Sequence, residues 1–294
     1  MKPERHGTIR ADLSLVGIAA IWGFTFPAIQ LALRDAGPLS FVSARFALAS
    51  LALALVFRRR ALRVSRSGLK YGLLLGLCLA AGAVLQTAGL VHTTASKSAF
   101  ITALYVVLVP LASLLVTRVR PRLTSLVAVL IAACGLAEIT AVRINGLNIG
   151  DLLTLGCAFA FGLHIVIAEI AAPDHDPVML AFWQSLTTAA VAPIAMLAIE
   201  RPHLALTPWT ITALLVGSIL ATALAFAIQM WAQRETSGTH AALILAAEPV
   251  FAALFSALIL HERTGINGLI GGGLILCAIV ISEVGARRDA PQRQ

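Results

Sequence analysis

Apolar runs of roughly 18 to 23 residues follow one another along almost the whole chain, each long enough for a helix to cross ~30 Å of hydrocarbon. A soluble chain of 294 residues would show amphipathic stripes instead. The runs predict ten spans, at about 13–33, 38–57, 70–91, 98–117, 123–141, 150–171, 177–199, 209–232, 238–260 and 265–284. The connections between them are too short for a separate soluble domain. The expected class is therefore an all-α membrane protein with the lipid bilayer as its main partner. The first span is longer than a signal-peptide core and is expected to be retained.

Basic residues outnumber acidic ones, 22 against 14, but their placement argues against nucleic acid. With the N-terminus inside, the inner side carries Lys2, Arg5, Arg10, Arg58, Arg59, Arg60, Arg63, Arg66, Lys70, Arg118, Arg120, Arg122, Arg234, Arg287, Arg288 and Arg293. The outer side carries only Arg34, Lys97, Arg143, Arg201 and Arg263. That bias orients a multi-pass protein with both termini in the cytoplasm. The four cysteines, Cys78, Cys134, Cys157 and Cys277, fall inside apolar spans without a CxxC pair, so neither a metal site nor a redox site is expected. No cofactor motif is present.

A shift of 139 positions lays Asp12-Leu13 on Asp151-Leu152, Gly17 on Gly156, Ala19 on Ala158 and Gly23 on Gly162. The same shift lays Pro38 on Pro177, Ala103-Leu104 on Ala242-Leu243 and Pro110 on Pro249. Chance alignment could supply the alanines and leucines, but not easily the aspartates, glycines and prolines in one register. The predicted organisation is two five-helix repeats, residues 11–141 and 150–284. Five is odd, so the second copy enters the membrane from the opposite side, giving an inverted-topology pair. Gly72-xxx-Gly76 and Gly268-xxx-Gly272 predict close helix approach, within the monomer or in a homodimer.

A charge near the bilayer centre costs about 2.5–3.5 kcal/mol even on lenient insertion scales, so each one asks for a reason. Glu248 lies near the middle of the ninth span, followed by Pro249, whose ring breaks the local hydrogen bonding. It either binds a cation, a proton or an ammonium group, or is a buried structural carboxylate. Arg45, two turns into the second span, either snorkels and satisfies helix ends or faces a cavity and binds an anionic group. Glu138 is a candidate ion-pair partner for it. The repeat counterpart of Arg45 is Gln184. His164 and His240 could relay protons or be ordinary hydrogen-bonded histidines. Trp22 and Trp183 lie within spans, whereas Trp209 and Trp231 sit at the ends of the eighth as interfacial anchors. Trp22 needs a partner for its indole N–H and could line a pocket. Pro27 and Pro193 are further mid-span prolines, and Pro110 and Pro249 place a helix break in the fourth span of each repeat.

These residues carry a resemblance. Ile21-Trp22-Gly23-Phe24-Thr25-Phe26, Arg45-Phe46, Ala103-Leu104 with Pro110, and Ala241-Ala242-Leu243 with Glu248-Pro249-Val250 resemble the EamA type of the drug/metabolite transporter superfamily. The resemblance implies ten helices in inverted five-helix repeats, cytoplasmic termini and movement of small metabolites, often export of amino acids. It also implies a cavity built from the first four helices of each half, with the fifth supporting packing or association. Small multidrug pumps of that superfamily carry a carboxylate midway along the first helix; the first span here has none, and Glu248 is the remaining candidate.

The expected function is a secondary transporter in the cytoplasmic membrane of a bacterial-type cell, moving a small-molecule substrate by alternating access. Trp22, Arg45, Gln184 and Glu248 are the candidate substrate contacts, and His164 and Glu248 the candidate proton relay. A polytopic membrane enzyme would need a nucleophile with a base, or paired aspartates, at membrane depth. No GxSxG, HExxH or GxGD motif is present. A non-transporting scaffold would more often carry an added soluble domain.

Overall fold

The structure, a computed structural model, describes residues 8–118, 123–140, 148–262 and 265–288. Lys2, Arg5, Arg120, Arg122, Arg143, Arg263 and Arg293 of the charge pattern, and residue 141 of the fifth expected span, lie outside the described residues.

The helices are α1 (Ile9–Ala32), α2 (Pro38–Val56), α3 (Arg58–Leu62), α4 (Arg66–Leu90), α5 (Ala95–Thr102), α6 (Tyr105–Thr117) and α7 (Leu123–Thr140). They continue as α8 (Ile149–Ala171), α9 (Pro177–Ile199), α10 (Pro208–Leu215), α11 (Ala225–Glu235), α12 (Gly238–Leu245), α13 (Glu248–Ile259) and α14 (Ile266–Arg288). A π-helical stretch, Val216–Leu224, joins α10 to α11 in one continuous rod. Eight helical stretches among the described residues are long and apolar enough to cross a membrane. The fifth and tenth expected spans correspond to shorter apolar stretches, Leu123–Gly135 and Ile266–Ser282, within α7 and α14.

Starts are set locally. Thr8 accepts from Ala11 N at 3.3 Å, and Pro38 and Pro177 open α2 and α9, where a missing N–H costs nothing. Asn148 and Asp151 form a reciprocal capping box at the start of α8. The two interruptions within spans differ. Pro249 sits in the first turn of α13, directly after the break at Ala246-Ala247. Pro110 lies inside α6, and the break of that span falls earlier, at Ala103-Leu104.

Large apolar side chains such as Leu13, Leu55, Leu115, Leu123 and Ile199 remain exposed around the bundle. So broad an apolar surface needs lipid to cover it. The interior is sealed mainly by Ala and Gly at helix crossings. Gly72 and Gly76 of α4 lie against Trp183 and Thr187 of α9. A Cβ built on Gly135 of α7 would stand 2.6 Å from Gly271 O and 3.0 Å from Leu274 Cβ of α14. Gly272 makes only ordinary contact with Val250, at 3.7 Å, so the close approach of α7 to α14 comes from Gly135.

Polar ties close both ends of the bundle. On the face carrying Arg58–Arg60, Arg60 pairs with Asp176 at 2.9 Å and His240 Nε2 meets Asp12 Oδ1 at 3.1 Å. On the opposite face Lys97 pairs with Asp151 at 2.7 Å. There, Glu200 accepts from Leu39 N, Ser40 N and Ser40 Oγ, tying the end of α9 to the start of α2.

Candidate functional site

The centre of the bundle holds a cavity framed by α1, α2, α4, α6, α8, α11 and α13. Its wall is largely aromatic and aliphatic: Trp22, Phe46, Phe161 and Phe226, with Leu79, Ala83 and Ile165. Thr25, Arg45, Gln86, Tyr105, His164, Gln229 and Glu248 supply the polar part. The space open to the centres of water-sized molecules is about 50 Å³, room for a few waters.

Arg45 is buried, 8% exposed, and is held by one hydroxyl and two backbone carbonyls. Its Nε donates to Thr222 Oγ1 at 2.8 Å and to Gly217 O at 3.2 Å, and one Nη donates to Ala221 O at 3.4 Å. All three acceptors belong to the π stretch. A π turn relaxes the usual i→i−4 ladder, so carbonyls can serve outside partners as well. Thr222 Oγ1 itself donates to Gly217 O at 2.7 Å, five residues back. A Cβ built on Gly217 would sit 3.4 Å from Arg45 Cδ, an ordinary contact, so the arginine packs directly on this turn. Arg45 also lies over the Phe46 ring, 5.4 Å from its centroid. Its partners lie on the π stretch, and Glu138, exposed on α7, is not among them; the candidate Arg45–Glu138 pair does not form.

Trp22 is anchored on the same stretch, its indole N–H donating to Ala221 O at 2.8 Å, with Phe226 against its ring at 5.4 Å. The sequence counterpart of Trp22, Phe161, packs over Gly82, where any Cβ would collide with its ring. His164 faces the cavity with Phe226 at 5.6 Å. Its Nε2 shares a 2.5 Å hydrogen bond with Gln184 Oε1. Gln184 is wholly buried behind His164 and does not line the cavity. His240 lies away from the cavity, at the Asp12 end of the bundle, with Ser282 Oγ also 3.4 Å from its Nδ1.

Glu248 is 5% exposed and opens α13, so its backbone sits at the helix interruption while its carboxyl belongs to the cavity wall. No hydrogen bond or ion pair joins it to another of the described residues. Among the described residues no group of three His, Cys, Asp or Glu side chains could hold a metal ion. The structure thus brings Trp22, Arg45, His164 and Glu248 to one cavity, with Gln184 supporting His164 from behind. Sequence reasoning missed Tyr105, Gln229 and the π stretch. Gln229 and Gln233, four residues apart inside an apolar span, were the available signal.

An aromatic cavity with a buried arginine and a buried carboxylate, inside a bundle coated with exposed leucine, belongs to a multi-pass membrane protein that handles small molecules. The chain belongs to the EamA-like transporter family, whose pattern matches residues 9–141 and again residues 148–283. An uncharacterized transporter of Archaeoglobus fulgidus is 37% identical over 272 residues, covering 92% of this chain and 85% of that protein. The uncharacterized transporter YoaV of Bacillus subtilis is 22% identical over 282 residues, covering 93% and 97%. A solved protein crystal structure shares the fold with a TM-score of 0.77 at 17% identity, covering 96% of this chain and 99% of that one.

Proposed function

We propose that the protein is a secondary transporter that exports a small zwitterion, an amino acid or a close relative, across the cytoplasmic membrane by alternating access. One observation carries this reading: Arg45 and Glu248, buried and opposite in charge, line the same cavity with no ion pair between them. A zwitterion would supply each with the counter-charge it lacks. Arg45 would hold the acidic group with the donors that the π stretch leaves free, Glu248 the ammonium group, and Trp22 one wall. His164 with Glu248 is the candidate proton route.

The ten-span organisation, with inverted repeats over 11–141 and 150–284, underlies the mechanism. Contacts related by the 139-residue offset support it. Trp22 meets Ala221, and their counterparts Phe161 and Gly82 meet likewise. Gly135 faces Leu274, its own counterpart, as residues on a pseudo-two-fold axis do. Asp12 and Asp151 are themselves related by the offset, although their partners, His240 and Lys97, are not. Halves related in this way can exchange conformations around a central site. The arginine-rich face is assigned to the cytoplasm, with both termini there.

The test is counterflow in proteoliposomes with a panel of amino acids. Exchange of at least one is expected, and absence of exchange for all of them removes the amino-acid reading. Glu248→Gln then separates roles: transport that stays unchanged across pH excludes Glu248 as an obligatory proton site.

A further inference from the structure

The cavity holds hydrogen-bonding capacity that the protein leaves unused, and away from Arg45 it includes several oxygen acceptors. Gln229 is 1% exposed, and its amide is oriented by a relay. Gln229 Nε2 donates to Gln233 Oε1 at 3.1 Å, and Gln233 Nε2 donates to Ile165 O at 3.0 Å. A backbone carbonyl can only accept, so Gln233 must turn its NH₂ toward Ile165 and its oxygen toward Gln229. Gln229 must therefore spend an N–H on Gln233, which leaves Gln229 Oε1 as a buried acceptor without a partner. Tyr105, 2% exposed at the start of α6, likewise has a buried hydroxyl without a partner. The Glu248 carboxyl also makes no hydrogen bond with another of the described residues. Three elements, α6, α11 and α13, thus each bring an unspent oxygen to the wall of one small cavity. Leaving such groups unpaired is costly, so a donor-rich ligand that pairs them is favoured.

We propose that Glu248, Gln229 and Tyr105 form a subsite for a primary ammonium group, whose three N–H donors find three oxygen acceptors, so that the site rejects N-trimethylated analogues. The assignment deepens the zwitterion reading and rests on Glu248 facing the substrate's amine. The aromatic wall of Trp22, Phe46, Phe161 and Phe226 would by itself also suit a quaternary ammonium. Such a ligand has no N–H and would bury Gln229 and Tyr105 unsatisfied. A site built to bond an N–H discriminates strongly against the analogue that lacks it.

Two measurements on the full chain test this. The first is thermal unfolding in detergent with methylammonium, tetramethylammonium or sodium chloride at equal ionic strength. Methylammonium is expected to raise the midpoint above the other two, and Gln229→Met or Tyr105→Phe to remove the difference. Equal shifts, no shift, or a larger shift with tetramethylammonium or sodium overturn the subsite. This comparison needs only the unmutated protein, so a variant that fails to fold does not blunt it. The second is counterflow with leucine and N,N,N-trimethylleucine. Leucine is expected to exchange and its trimethyl form not to, with Tyr105→Phe raising the half-saturation for leucine by about tenfold. Equal exchange of both overturns the subsite and leaves the amino-acid reading standing. If no amino acid in the panel exchanges, that reading falls and the unfolding comparison still decides the subsite.

Discussion

Replacing Gly23 with Ala adds one methyl group where α1 crosses α13. The new Cβ would stand 2.6 Å from Phe251 Cβ, 2.8 Å from Ala252 N and 2.9 Å from Glu248 O. Two of those atoms are backbone, so no side-chain rotation relieves the overlap, and ordinary contact needs about 3.5–4 Å. The helices must separate by roughly half an ångström or more, at an overpacking cost of about 1–3 kcal/mol. The better helix propensity of Ala returns about 0.5–1 kcal/mol, leaving a net loss of about 1–2 kcal/mol. The move also displaces the residue whose carboxyl lines the cavity. Gly162, the repeat counterpart, gives the internal control: its Cβ would lie 3.6 Å from Leu108 and Tyr105 Cβ, an ordinary contact. Gly162→Ala should be neutral or slightly stabilising. Thermal unfolding in detergent with parallel counterflow compares the two. The reasoning is refuted if Gly23→Ala is as stable as the parent, or if both variants lose equally.

Arg45→Lys keeps the charge but cannot reproduce the fork that reaches Gly217, Ala221 and Thr222 at once, so exchange should fall at least about tenfold; retained rates would show that charge alone matters. Thr222→Val removes one of those acceptors and should cost about 1 kcal/mol in unfolding stability, read by the same melting assay. The ties at the two ends should act in opposite senses: Lys97→Ala frees Asp151, whereas Asp12→Asn weakens the His240 contact. An impermeant thiol reagent applied outside should modify a cysteine placed at the cavity residue 83 faster in the first variant and slower in the second. Glu200→Gln loses the charge that accepts from Leu39 N and Ser40 at the start of α2, and unfolding should fall by about 1–2 kcal/mol.

Much of the architecture was legible before any contact was known. Burial in lipid is a property of run length, so the apolar stretches announced the helices, whereas the local chemistry of the starts at Pro38, Pro177 and Asn148 emerged only with the structure. Arg45, Glu248, His164 and Trp22 stood out because charge, ring nitrogen and indole are costly in hydrocarbon. Gln184 was singled out as the repeat counterpart of Arg45, yet its place is behind His164. Pro110 and Pro249 looked equivalent, but only Pro249 adjoins a helix interruption.

The sequence by itself determined the membrane class, the offset that pairs the halves, and the short roster of polar residues that needed partners. Tertiary packing decided which of them meet. It placed a π stretch, unmarked in composition, under Arg45 and Trp22, aimed Gln229 through Gln233 at a backbone carbonyl, and made Gly23 crowded and Gly162 roomy. The physical reason is that nearly every position of such helices is apolar. Hydrophobicity then fixes the depth of a residue but not the direction it faces, and direction is set by neighbouring helices.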